Sequence, residues 1–180
     1  ARLVGNGRGT VLSVLASGVT VRGLAIGGSG ETLDGLDAGV LVAGDDNLIE
    51  ANTLSDVLFG IHVRAGNRNR LAGNRITGKD LPMAQRGDAV RLWNSRHNRI
   101  ENNRFERSRD LTLANSPDNH VLNNQFKDGR YGMHIVFSPR LVVQGNHIEH
   151  TQTGIVVLYS PGLLVRGNLV AHALTGGGGG

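Results

Sequence analysis

Cysteine is absent from the 180-residue chain, which excludes disulfides, cysteine-ligated zinc, iron–sulfur clusters and thiol nucleophiles in one step. No apolar run reaches the roughly 18 residues that a membrane helix needs, so nothing in the sequence reads as membrane-spanning. Aromatics are scarce at 4%, and Lys79 and Lys127 are the only lysines. The opening also lacks a signal-peptide succession: Ala1 leads directly into RLVGNGRGTVLSV, as expected of a mature form or a fragment. Against these deficits stand 27 glycines and 39% hydrophobic residues, which suit a turn-rich β architecture with a narrow aliphatic core.

The net charge of +4 is carried almost wholly by arginine. Arg2, Arg22, Arg64, Arg75, Arg91, Arg109 and Arg166 are strewn along the chain rather than gathered with stacking aromatics, which argues against a nucleic-acid partner. The glycine run at 176–180 cannot pack. The expected organisation is one domain over 1–174 followed by a glycine-rich tail at 175–180.

The chain repeats itself. RYGMHIVFSPRLVVQGN, at 130–146, returns as QTGIVVLYSPGLLVRGN at 152–168. Aligning the segments VRGLAI, IEANTL, LAGNRI, IENNRF, VLNNQF, VQGNHI and VRGNLV puts Leu24, Asn52, Asn74, Asn103, Asn124, Asn146 and Asn168 in one column. The repeat is about 22 residues, lengthened twice by loop-like stretches at GGSGETLDGLDAG and GKDLPMAQRGD. Within each unit apolar residues alternate with a period of two, as in Val90 and Leu92 or Ile155 and Val157, the mark of short strands. A strand that must recur every 22 residues does so if each unit is one coil of a solenoid. The fold expected is therefore all-β, a right-handed parallel β-helix with coils of about 22 residues; a left-handed hexapeptide helix would need multiples of six.

The Asn column is expected to turn a corner, at φ > 0 or close to it, which Asn and Gly tolerate best, and to hydrogen-bond from coil to coil. A second corner is expected at Ser95, Ser116, Ser138 and Ser160, with Phe137 stacked on Tyr159. Among the acids only Asp88 and Asp110, in adjacent coils, fit a glycosidase pair; the arginines before them in RGD and SRD suit a surface ion pair instead. His62 and His134 share a column but stand three coils apart, about 14 Å at the usual strand spacing, too far to share a metal ion. His150 and His172 are vertical neighbours, with His147 three residues before His150, a set of imidazoles suited to copper or zinc. A few solvated histidines on a turn fit the same spacing.

The strings RGDAVRLW at 86–93, RYGMH at 130–134 and LYSP at 158–161 make the chain resemble the NosD family of periplasmic maturation factors for nitrous oxide reductase, within the wider carbohydrate-binding and sugar-hydrolase β-helix group. The likeness runs nearly to Ala173. It implies a non-enzymatic periplasmic accessory protein that helps assemble the copper centre of that enzyme in denitrification, with an ABC transporter and a copper chaperone as partners and copper as the metal handled. Carried over by position, it marks Arg86, Asp88, Trp93, Arg130, Tyr131 and His134. The family's methionine before the corner aromatic is replaced by Trp93, Ala114, Val136 and Leu158, and the chain is short for the family. Two other readings stand beside it: a polysaccharide-active enzyme built on Asp88 and Asp110, and a purely structural solenoid, truncated or engineered.

Overall fold

The period-two alternation folds as parallel strands that stack coil upon coil. The computed structural model describes residues 1–171. Three strand columns run its length, and apolar residues from all three meet in one core. One column runs through Ala25–Gly27, Thr53–Val57, Arg75–Gly78 and Arg104–Glu106; the second through Ala38–Val42, Phe59–Arg64, Val90–Trp93 and Leu111–Ala114; the third, a separate seven-stranded sheet among the described residues, from Thr20–Arg22 to Leu164–Arg166. The first two columns fuse at Gln125–Val136 and again at His147–Leu158, 12 residues each.

Inward rows are continuous. Val40, Ile61, Val90 and Leu111 are in register, as are Val42, Val63, Leu92, Leu113 and Ile135, and all are at most 1% exposed. Each coil thus buries its aliphatic face against the next, the arrangement that lets a chain with few aromatics keep water out.

The Asn column is a ladder with rungs separated by 28, 22, 29, 21, 22 and 22 residues. The backbone N–H of each member, beginning with Leu24, donates to the side-chain oxygen of the Asn one coil on, at 2.8–3.0 Å. The expected positive φ, however, belongs to the residue before each rung: Gly23, Ala51, Gly73, Asn102, Asn123, Gly145 and Gly167 take it, and the ladder asparagines do not. The preceding residue turns the corner, which leaves the Asn amide aimed along the solenoid axis. A second ladder of Asn47, Asn69, Asn98 and Asn119 passes unnoticed in the sequence reading. The Ser corner is a third: Ser95, Ser116 and Ser138 each donate a backbone N–H to the next serine hydroxyl. Beside it Phe137 and Tyr159 stack at 5.0 Å with 10° between their planes.

The two long units project loops at 28–37 and 79–87 from the same side. Leu33, Leu36 and Leu81 from these loops close over Leu58 and Phe59 as a small satellite cluster.

Candidate functional site

These loops wall one side of a groove on the outer face of the second strand column. Its floor is the row Leu41, His62, Arg91, Thr112, His134 and Val156, whose members are register partners in successive coils. Outward residues two positions along, Arg64 and Trp93, form the rim. Leu36, His62, Arg64, Arg91 and Trp93 line an open cleft of about 260 Å³. The guanidinium of Arg91 lies over the Trp93 ring, 5.7 Å from its centroid.

His62 is 4% exposed, although its alternation points it outward; Leu36 and the two arginines cover it. Burial lowers its pKa to about 4, and the charges of Arg91 and Arg64 act in the same direction. The imidazole is therefore neutral at pH 7.

Asp88 and Asp110 form the centre of an ion lattice at the head of the groove. A surface ion pair was expected, yet both carboxylates are fully buried, because the side chains of three arginines fold over them. Asp88 is 3.4 Å from Arg91 Nη1 and 3.4 Å from Arg109 Nε. Asp110 binds Arg130 through both oxygens and accepts the backbone N–H of Tyr131 at 2.9 Å. Burial pushes the Asp88 carboxyl above the usual carboxylate range; the Asp110 charge adds to that shift, while Arg109 and Arg91 oppose it. By strand register Asp110 stands where neighbouring coils carry Gly39, Gly60, Ala89, Gly132 and Gly154. A carboxylate in an otherwise Gly/Ala column is the sequence signal that would have revealed the burial.

The lattice orders the far end of the groove. Arg130 lies over the Tyr131 ring at 4.2 Å, and Tyr131 meets His134 edge to face at 5.6 Å. Asp88, Trp93, Arg130, Tyr131 and His134 are thus gathered on one face, together with Arg91, Arg109 and Thr112, which the sequence reading did not single out as site residues. Arg86 has another part: its Nε donates to Leu81 O at 2.7 Å and its Nη1 to Asp128 O at 3.1 Å, tying the 79–87 loop to a coil further along.

The histidine set sits elsewhere. His147 faces outward on the first strand column, 3.8 Å from Glu149, whereas His150 occupies a bend with φ 52°. His172 lies outside the described residues. Among the described residues no three His, Asp or Glu side chains converge as a metal ion would require, and no helix is long and apolar enough to cross a membrane.

Comparison with known proteins adds three findings. A family model described as "Right handed beta helix region" matches residues 9–170. The "Probable ABC transporter binding protein NosD" of Pseudomonas aeruginosa is 31% identical over 113 residues, 61% of this chain and 26% of that protein, so the chain spans about a quarter of its relative's length. A solved structure titled "Glycoside hydrolase" superposes with a TM-score of 0.65 over 89% of this chain and 34% of its own, at 13% identity, a likeness of fold alone.

Proposed function

The chain belongs to the right-handed β-helix family, and from that premise we propose that it is a NosD-like, non-enzymatic accessory protein that docks on an ABC transporter. The observation that carries this reading is the state of Asp88 and Asp110. Acid–base catalysis on a sugar needs two carboxylates free to reach the glycosidic bond. Here both are buried and held by Arg91, Arg109 and Arg130, so they shape the groove rather than work in it. What the face offers outward is arginine, Trp93, Tyr131 and His134, rigidly spaced on a solenoid and without an enclosed pocket, which suits a protein surface better than a small substrate.

The match to the Pseudomonas aeruginosa protein supports the transporter as partner. The finer role is assembly of the copper centre of nitrous oxide reductase in the periplasm, alongside a copper chaperone, with copper as cargo. Its support is the likeness of RGDAVRLW, RYGMH and LYSP to that family. Cargo binding at His147, His150 and His172 is tested by competing the chain against a chromogenic chelator for Cu(I) and Cu(II), with H150A/H172A and H134A as variants; absence of competition by the wild type removes direct carriage.

The docking reading is tested by capture. The chain, immobilised, is presented with a detergent-solubilised ABC transporter from its own organism, and in parallel incubated with polygalacturonate and other acidic glycans. Specific retention of the transporter without new reducing ends is the expected result. Glycan cleavage that D88N and D110N abolish would overturn it.

A further inference from the structure

Arg64 and Arg91 line the cleft, and beyond Arg91 lie Asp88 and Asp110, paired with Arg91, Arg109 and Arg130. Both carboxylates are fully buried beneath these arginines, so guanidinium is what an arriving molecule meets. Arg64 is exposed and makes no ion pair among the described residues. Arg91 has one guanidinium nitrogen 3.4 Å from Asp88, while its Nε is buried with no hydrogen-bond partner. The remaining lining is Leu36 from the 28–37 loop, the Trp93 indole and the mostly buried His62. Guanidinium groups present donors in a fork that matches a carboxylate. A neutral sugar would need several exposed acceptors for its hydroxyls, whereas Asp88 and Asp110 are fully buried and His62 is 4% exposed.

We propose that this cleft binds an acidic segment of a partner protein, with a carboxylate side chain meeting Arg64 and Arg91 and a large apolar neighbour lying against Trp93 and Leu36. The proposal rests on the docking reading and adds the chemistry of the partner. Charge complementarity selects the acidic segment, and the apolar flank selects a peptide over an isolated inorganic anion.

Trp93 is the sole tryptophan, so its emission, excited selectively, reports on this cleft. The probes are a capped tetrapeptide alternating glutamate and phenylalanine, its glutamine counterpart, and trigalacturonate. The expected result is a saturable change with the glutamate peptide that weakens as salt rises. Affinity should fall at least ~10-fold with the glutamine peptide and in R64E, the difference a charge-assisted contact makes. R64E changes an exposed residue without an ion-pair partner, so its melting curve should overlay the wild type; R91Q, which removes the half-buried guanidinium, serves as the second variant. No saturable change, equal binding of the glutamine peptide, unaltered affinity in both variants, or tighter binding of trigalacturonate would each overturn the proposal. Transporter capture separates the two readings. If R64E and R91Q are captured as well as the wild type, the acidic-segment inference fails and docking stands. If the wild type is not captured while the peptide binds as expected, docking on that transporter fails and the cleft keeps its assigned ligand.

Discussion

Asn74 and Asn103 lie 29 residues apart in the chain and one coil apart in space, with Oδ1 of Asn103 accepting both the backbone N–H of Asn74 at 2.8 Å and its Nδ2 at 3.0 Å. Asn103 Nδ2 in turn donates to Leu71 O at 2.9 Å and to Asn124 Oδ1 at 3.0 Å. One amide therefore satisfies buried groups on both sides. Asn103→Ala leaves them unpartnered and should cost about 2–4 kcal/mol, since each orphaned buried group costs about 1–3. Asn168→Ala, at the half-buried last rung, should cost under about 1 kcal/mol. Urea denaturation of the two variants checks the contrast.

Removing Asp110 should be more damaging than removing its partner. Asp110→Ala leaves the half-buried Arg130 and the Tyr131 N–H without their acceptor, at about 2–3 kcal/mol, somewhat below the usual penalty for breaking a fully buried pair. Arg130 is about one-third exposed, so in Arg130→Gln water and Arg109 take up part of the loss, and the cost should be smaller. A double-mutant cycle measured by urea melts should give a coupling of about 1–3 kcal/mol; coupling near zero would mean that the lattice does not act as a unit.

His62 links stability to pH in a definite direction. Its folded pKa, about 4, is below the ordinary 6.5, so between those values the unfolded chain binds the proton first. Its contribution is complete above pH 6.5 and is lost as pH falls towards 4, roughly 3 kcal/mol over the whole window. Arg64 and Arg91 face the ring, and neither changes charge there. Asp88, with its raised pKa, acts oppositely: its protonated form favours the fold, and that gain fades as pH rises through its folded pKa. His62→Leu should therefore flatten the acid limb of the stability curve, and the imidazole resonances that His62→Leu removes from the wild-type spectrum should titrate near pH 4. A midpoint near 6.5 would show the ring open to water.

The coil period was legible because every backbone corner reuses a residue at a fixed offset, and the ladder spacing reproduces the alignment even through the two longer units. The corner geometry was misplaced by one residue because Asn and Gly both tolerate φ > 0, and strings such as NN and GN do not say which residue turns. The second ladder escaped notice because its column changes to Leu141 and Leu163 in the last coils. Burial of Asp110 and His62 was not legible from alternation, which points both of them outward. It arises from residues remote in sequence, the 28–37 loop and the arginines of later coils, folding over that face.

Phe137 and Tyr159 give the test of whether the outer corner is structural or held for contact. Their column, Ala65, Asn94, Asn115, Phe137 and Tyr159, has φ between 47° and 51° throughout. That region costs an L-residue about 1–2 kcal/mol, and Asn is among the residues that visit it most readily. The stack returns about 0.5–1.5 kcal/mol, so strain and stacking nearly cancel. Phe137→Asn should then lie within about 1 kcal/mol of the wild type in urea. Ile135→Ala, two residues back and fully buried, should cost about 2–5 kcal/mol. If Phe137→Asn is near neutral, folding does not require two aromatics that are 54% and 75% exposed, and their place on the surface is explained by what they touch outside the chain; loss of transporter capture in the same variant would identify that contact. If Phe137→Asn costs as much as Ile135→Ala, the stack belongs to the scaffold, and the docking face is confined to the arginine groove.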